Sequence, residues 1–245
     1  MVDSFNVRSH MRDIRSRVGY MPGRFSLYHD LTVEENIRFF AQVFHATLEE
    51  NYSLIKDIYS LLEPFKNRRA GKLSGGMKQK LALCCALIHK QSVLFLDEPT
   101  TGVDPVSRKE FWDILSRLQE QNITILVSTP YMDEAARCDR IAFLHNGRIL
   151  SVNTPSAICA SFPYSLVRVR CSDMYKALVA LRTAPFARSC YAFGDAHHVG
   201  VEPHVTPGVV TEWLRAAGHT AIEVESIPAG IEDTFMQLSE DAAHE

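Results

Sequence analysis

Nowhere in the 245 residues does an apolar stretch approach the ~18 residues that a membrane-spanning helix requires. The first twenty residues, MVDSFNVRSHMRDIRSRVGY, also hold no apolar core of signal-peptide length. A soluble chain is therefore expected, and any membrane role has to come through a partner. An excess of one charge is missing too, since 26 basic and 29 acidic residues leave a net charge of −3. No basic surplus points to nucleic acid or to an anionic membrane surface. The six cysteines, Cys84, Cys85, Cys138, Cys159, Cys171 and Cys190, include no C-x-x-C pair and none of the short spacings of a zinc site. They read as reduced cytosolic thiols. Internal repeats and low-complexity segments are absent as well.

What is present is a globular composition, 46% hydrophobic and 22% charged, in a chain long enough for one large domain or two modest ones. Thr32-Val-Glu-Glu35 and Thr47-Leu-Glu-Glu50 fit capping boxes, so helices are predicted over 33–45 and 48–63. A third apolar helix over 75–89 starts at Ser74 and leads into Ser92-Val-Leu-Phe-Leu-Asp97, a buried parallel strand ending in acid. Asp104 as N-cap and Pro105 at the first helical position open another helix, followed by the strand Ile123–Ser128. After a short helix near 131–137, Asn146-Gly147 forms a two-residue turn between strands 140–144 and 148–152. Beyond the Pro155–Pro163 break the order is strand 165–171, helix 173–182, strands 189–194 and 197–202, helix 207–217 and strand 221–227. This βαββαβ order is the split-βαβ arrangement of a small ferredoxin-like domain. A last helix over 232–238 leaves an acidic, disordered tail at 239–245.

Two motifs carry chemistry. Leu73-Ser74-Gly75-Gly76-Met77-Lys78-Gln79 places bare backbone N–H groups at a helix N-terminus, with glycines that let a bulky anion approach. About twenty residues on, Val93-Leu94-Phe95-Leu96-Asp97-Glu98-Pro99-Thr100 projects two adjacent carboxylates from the end of a buried strand. One can hold a metal through water and the next can orient or deprotonate a nucleophilic water. Alone, the first reads as a loop with an N-cap and the second as a solvated loop start. In this order, with Gly102-Val103-Asp104-Pro105 following, chance is a poor explanation.

Over residues 5–155 the sequence resembles the nucleotide-binding domains of ABC transporters, especially those of drug- and polymer-exporting bacterial systems. The resemblance implies an α/β, P-loop NTPase-like domain that binds ATP and Mg2+. By it, Leu73, Ser74, Gly75, Gly76 and Met77 are the signature motif, which reaches ATP held by the other subunit of a dimer. Asp97 is the magnesium-side aspartate, Glu98 the catalytic glutamate and Asp104 the D-loop acid. The implied partners are a second nucleotide-binding domain and a membrane-spanning transporter subunit, with no nucleic acid. The implied location is cytoplasmic, peripheral on the inner face of the membrane. Residues 1–155 are then a partial nucleotide-binding domain and 160–238 a small α+β accessory domain.

Three departures from the family pattern stand out. No G-x-x-x-x-G-K-[ST] occurs, so the Walker A strand, loop and helix that cradle the β- and γ-phosphates are missing. The chain therefore reads as a fragment, with a gap expected in the middle of its sheet. Gly23 replaces the Q-loop glutamine, and Pro130 the switch histidine. Thr129 as N-cap with Pro130 at the first helical position would still start the next helix. These losses also suit an alternative, a non-catalytic regulatory or interaction module derived from the same domain. A soluble ABC protein of ribosomes or DNA is disfavoured by the single cassette and small tail. His197, His198 and His204 lack a completing ligand, Cys84-Cys85 read as core, and Arg68, Arg69 and Lys72 as a solvated face.

Overall fold

The structure, a computed structural model, describes residues 1–24 and 26–243. The chain divides into two compact units, Met1–Pro130 and Tyr131–Glu245.

Unit 1 contains α1 (Met11–Arg15), β1 (Val18–Met21), α2 (Val33–Val43), α3 (Leu48–Tyr59), α4 (Gly75–Leu87), β2 (Val93–Asp97), α5 (Pro105–Glu120) and β3 (Thr124–Ser128). Two 3-10 turns, Glu63–Phe65 and Ala70–Lys72, separate α3 from α4. Both capping boxes form as the sequence predicts, with Thr32 and Thr47 each accepting from an amide three residues on while Glu35 and Glu50 reach back. Helix α2 stops two residues earlier than predicted because His45 takes a left-handed backbone, φ 58°. The buried Asn36 ties down the loop before α2, donating to the carbonyls of Tyr28, Leu31 and Thr32 and accepting from the Tyr28 amide.

The three strands pair in parallel in the order β1-β2-β3, with Met21, Leu96 and Val127 in one cross-strand row. The expected gap does not fall among them: β1, β2 and β3 are contiguous because their registers match residue for residue. Within this sheet β3 is an edge. One face is buried through Met21, Leu94 and Leu96, while the other leaves Tyr20 and Leu126 about 60% exposed (59% and 61%).

Unit 2 opens with α6 (Met132–Ala135), the hairpin β4 (Ile141–His145) and β5 (Arg148–Asn153), and α7 (Pro155–Ala160). Asn146 and Gly147 both have positive φ, 48° and 76°, as a two-residue I′ turn demands. Then come β6 (Ser165–Arg170), α8 (Met174–Arg182), β7 (Ala187–Phe193), β8 (Ala196–Val201), α9 (Pro207–Ala216), β9 (Glu223–Ile227) and α10 (Ile231–Asp241). The four strands β6 to β9 form an antiparallel sheet ordered β7-β8-β6-β9. Val167, Val169, Val199 and Val201 on one face bury against Ala177 and Leu181 of α8 and Val210 and Leu214 of α9. Strand β9 begins two residues late because Ala221 has φ 49°, which no strand accommodates.

A second core explains why the hairpin falls in unit 2 although the sequence draws its boundary at 155–160. Ile141 and Phe143 of the hairpin bury with Ala135, Ile158 and Ile231, and Phe235 and Leu238 pack on them. Helix α10 runs to Asp241, so 239–241 of the expected tail are helical. The tail's last two positions, 244 and 245, lie outside the described residues. Among the described residues no helix is long and apolar enough to cross a membrane.

Candidate functional site

The loops that follow the carboxyl ends of β1, β2 and β3 bring together Gly23, Asp97, Glu98, Thr101 and Ser128. Register does most of this, since Asp97 and Ser128 are cross-strand partners at the ends of adjacent parallel strands. The Ser128 hydroxyl donates to Asp97 Oδ1 at 2.6 Å, and Ser128 Oγ accepts from the Glu98 amide at 3.1 Å. The Glu98 amide also reaches the Ser128 carbonyl at 3.0 Å. Glu98 turns sharply out of the strand with φ 44°, a left-handed conformation that costs a non-glycine residue on the order of 1–3 kcal/mol. The turn is held by the Thr101 amide on the Glu98 carbonyl and by the Thr101 hydroxyl, which donates to Glu98 Oε2 at 3.1 Å. Both carboxylates are exposed to solvent.

Gly23 is more than a lost glutamine. A Cβ built there would lie 3.0 Å from the Asp97 carbonyl oxygen and 3.6 Å from Glu98 Cβ. The loop after β1 therefore passes so close to the acidic strand end that a side chain at this position would require the Asp97 carbonyl to give by a few tenths of an ångström.

A second group forms around the start of α4. Ser74 is its N-cap and accepts from the Met77 amide at 3.4 Å, while Leu73 is buried and Met77 half-buried. The amides of the first turn have no intrahelical acceptor and lie at the positive end of the helix. The two glycines differ in purpose. Gly75 is exposed, and its nearest neighbour to an added Cβ would be the Gly102 carbonyl at 3.7 Å, which leaves room for an approaching group. Gly76 is buried, and a Cβ there would come 2.5 Å from Ser107 Oγ, so its glycine is required by packing on α5 rather than by an anion. Asp104 caps α5 by accepting from the Ser107 amide at 2.9 Å, and this hydrogen bond holds its carboxyl below the usual range.

At Pro130 the helix start differs from the sequence reading. Helix α6 takes Tyr131 as its N-cap, with extended backbone and no side-chain cap, and Pro130 lies outside the helix. The first turn instead carries Asp133 and Glu134, whose charge suits a helix N-terminus. The sequence reading also missed Ser128, Thr101 and Ser107. Ser128 was legible in principle as the polar end of a strand neighbouring one that ends in Asp97. Contacts of Thr101 and Ser107 depend on how the loop 98–104 folds back.

The remaining candidates sit apart. His197 is buried with Nε2 donating to the Met174 carbonyl, whereas His198 on the opposite face meets Asp233 Oδ1 at 2.7 Å. Cys84 and Cys85 are buried in α4, and burial pushes both thiols well up. Arg68 lies over the Phe65 ring, 4.6 Å from its centroid.

Comparison with known proteins agrees with this geometry. Residues 2–101 match the ABC transporter family. The chain is 41% identical over 149 residues, 60% of its length, to the probable multidrug ABC transporter ATP-binding protein YbhF of Escherichia coli. It spans about a quarter (26%) of that relative's length. Against the Nod factor export ATP-binding protein I of Burkholderia lata it is 34% identical over 239 residues, covering 95% of this chain and 76% of the relative. A solved ATP-binding subunit of an ABC transporter superposes with a TM-score of 0.58 at 27% identity, over 65% of this chain and 68% of that one. The cbiO1 protein of Clostridium perfringens, described as part of the ABC transporter complex cbiONQ, gives 0.55 at 25% identity over 63% of each chain. With a carboxylate pair at the end of a parallel strand, a glycine-opened helix start, and a relative at 34% identity matched over three quarters of its length, the chain belongs to the ATP-binding proteins of ABC transporters.

Proposed function

We propose that this chain is part of an ATP-hydrolysing subunit which, completed by a Walker A segment, acts at an interface between two nucleotide-binding domains and thereby drives a membrane-spanning transporter subunit. The observation that carries this reading is the convergence of Asp97, Glu98 and Ser128 at the carboxyl edge of three parallel strands, the usual place for ligands in such sheets. Glu98 is the general base, a carboxylate beyond the strand end that takes a proton from the attacking water. Thr101 orients it through the hydrogen bond to Oε2. Asp97 faces Mg2+ through water. A carboxylate and a neighbouring hydroxyl are the hard oxygen donors this ion selects, and Asp97 Oδ2 is not used by the Ser128 contact. When bound, Mg2+ offsets charge developing on the phosphates. Leu73 to Met77 serve the ATP of the opposite subunit, with the α4 N-terminus and the open side of Gly75 toward its γ-phosphate, and Asp104 lies at the dimer interface. Two such half-sites on one chain suit a dimer in which each copy completes the other's site.

The phosphate-cradling Walker A segment lies outside these 245 residues in this proposal. Three features support it: no G-x-x-x-x-G-K-[ST] occurs, β3 is a sheet edge, and Tyr20 and Leu126 project from an exposed face. Parallel sheets are ordinarily covered on both faces, so a further strand and helix have somewhere to pack. The sheet β7-β8-β6-β9 with α8 and α9 forms an accessory domain of ferredoxin-like kind within 160–238, and the 141–153 hairpin belongs functionally with the nucleotide-binding part. The membrane-spanning partner docks on α2 and the loop before it, where Tyr28 and Phe39 form an exposed edge-to-face pair. In this reading the assembly lies on the inner face of the membrane, in a drug- or polymer-exporting system, as the multidrug and Nod factor export names of its relatives suggest.

ATP turnover by a dimer that includes a Walker A segment, with Glu98→Gln beside the parent, tests the reading. Loss of a positioned base is expected to lower turnover about 10²- to 10⁴-fold while ATP binding survives. Equal rates would remove Glu98 as the base. Failure of both to turn over, with binding intact, would overturn hydrolysis altogether. The purified 245-residue chain is expected to bind a fluorescent ATP analogue weakly, and micromolar or tighter binding would contradict an external phosphate loop.

A further inference from the structure

The four-stranded sheet of unit 2 ends on two edge strands, β7 and β9, and they are finished differently. A row of unpaired backbone groups templates another strand, so sheet edges are ordinarily blunted by charge, a bulge or a covering element. Strand β9 carries Glu223 and Glu225. Strand β7 is irregular only at Arg188, where its pairing with β8 shifts between Ala187 and Ser189. Beyond that point residues 189–193 run in regular register without a charged side chain.

Register tells which backbone groups of this stretch are unused. Phe193 pairs with Ala196 across the Gly194-Asp195 turn, followed by Ala192 with His197, Tyr191 with His198 and Cys190 with Val199. Opposed residues of an antiparallel pair alternate between hydrogen-bonded and non-hydrogen-bonded. The pair closing a two-residue turn is of the first kind, so Cys190 and Ala192 turn their N–H and C=O groups off the sheet. Arg182 of α8 bears this out, since its Nε donates to the Cys190 carbonyl at 3.4 Å from outside the ladder. The Cys190 amide and both backbone groups of Ala192 have no partner among the described residues.

A groove of about 480 Å³ runs along this edge, a volume within the roughly 300–1,000 Å³ of ligand sites. Its walls differ in charge. Cys190 faces the core under α8, and on that side Arg182 makes no ion pair among the described residues, leaving its terminal nitrogens unspent. Tyr191 faces the other way, and its phenol donates to the carboxylate of Glu240 on α10. Arg188 also lines the groove but is paired with Glu202.

We propose that β7 is a strand-addition site for an extended acidic segment of a partner protein, which pairs with Cys190 and Ala192 and sets one carboxylate on Arg182. In this mode main-chain hydrogen bonds supply affinity and alternate side chains supply specificity. Successive side chains of a strand point to opposite faces, so the neighbours of the residue that meets Arg182 lie on the Glu240 side. Like charge excludes a further carboxylate there. The fitting pattern is one acidic residue flanked by neutral or basic ones. A second copy of this chain fits less well, because two-fold pairing about Cys190 sets Arg182 against Arg182 and Glu240 against Glu240.

The experiment uses the full ¹⁵N-labelled chain and two end-blocked pentapeptides, Val-Thr-Glu-Thr-Val and Val-Thr-Lys-Thr-Val. It needs no nucleotide, so its outcome is independent of the ATPase reading. The glutamate peptide is expected to shift the Cys190 and Ala192 amides saturably and to slow their hydrogen exchange. The lysine peptide should bind about tenfold more weakly or worse, and Arg182→Gln should erase that preference. Ala192→Pro removes an N–H that the sheet does not use, so it should abolish binding with little loss of melting temperature. If that variant does not fold, amide exchange in the parent decides. Unmoved amides with unchanged exchange would overturn the site, as would equal affinity for the two peptides or a preference that survives Arg182→Gln. Protection of the same amides without peptide, growing with protein concentration, would place a second copy on the edge and overturn the proposal as well.

Discussion

The Ser128 hydroxyl stands between the two acidic residues of the neighbouring strand end, donating to Asp97 Oδ1 at 2.6 Å while accepting from the Glu98 amide at 3.1 Å. Its removal separates orientation from stability. Because the Glu98 amide retains the Ser128 carbonyl and the carboxylates are exposed, Ser128→Ala is expected to cost less than about 1 kcal/mol of stability. In the hydrolysing dimer the same change frees Asp97 to rotate. The half-saturating Mg2+ concentration should rise severalfold with little change in melting temperature, and an unchanged Mg2+ dependence would argue against Asp97 as the magnesium-side residue.

The glycines of the Leu73–Met77 motif should respond oppositely to alanine. Ala is intrinsically better than Gly in a helix by about 1 kcal/mol. At Gly76 the added Cβ meets Ser107 Oγ at 2.5 Å and Ser107 Cβ at 2.7 Å, so overpacking should prevail and Gly76→Ala should destabilise by about 1–3 kcal/mol. Ser107→Gly should recover part of that loss in a double-mutant cycle. Gly75→Ala should leave stability unchanged or slightly raised, because its nearest neighbour is 3.7 Å away, yet should slow the dimer's ATP turnover if its open side meets phosphate. Denaturant unfolding of the four variants provides the comparison.

His89 confers a pH dependence whose sign follows from its burial. Its ring stacks on Phe44 with centroids 3.7 Å apart, and Nε2 donates to the Val18 carbonyl at 3.0 Å. Desolvation lowers its pKa below 6.5, only partly opposed by that hydrogen bond. The unfolded chain then binds the proton more readily than the folded one. Stability is complete above about pH 6.5 and falls as the pH drops through that value. His89→Phe keeps a ring over Phe44 and cannot be protonated. Its melting temperature should therefore fall less than the parent's between pH 7.5 and 5.5, whatever its absolute value.

Unit 2 should fold as residues 131–245 and less well as 160–245. The longer piece retains Ile141, Phe143 and Ile158 against Ile231, whereas the shorter one leaves the apolar side of α10, including Phe235 and Leu238, without those partners. Burying a Leu, Ile or Phe side chain contributes about 1.5–3 kcal/mol. Calorimetry should show a cooperative transition for 131–245 and a melting point lower by several degrees for 160–245. Equal melting points would mean that the hairpin adds nothing to this core.

Short-range signals decided the elements where the physics is local. Both capping boxes, the Asp104 N-cap with Pro105, the Asn146-Gly147 turn and the apolar Val93–Leu96 strand formed as read, since each is decided within a few residues by hydrogen bonding, φ preference or hydrophobic run. The order and chemistry of Leu73–Met77 and Asp97-Glu98 were legible for the same reason, and they sufficed to indicate the family. Element ends were decided by single left-handed residues such as His45 and Ala221, which propensity does not single out. Tertiary structure decided what depends on proximity between distant segments: that Gly76 is a packing glycine against Ser107, that Ser128 serves Asp97 and Glu98, that Gly23 is pressed against the Asp97 carbonyl, and that the 141–153 hairpin shares a core with α10. Cys171 and His219, 48 residues apart, meet only because β6 and the turn before β9 end side by side. Such contacts arise from register and chain reversal, and a one-dimensional pattern holds neither.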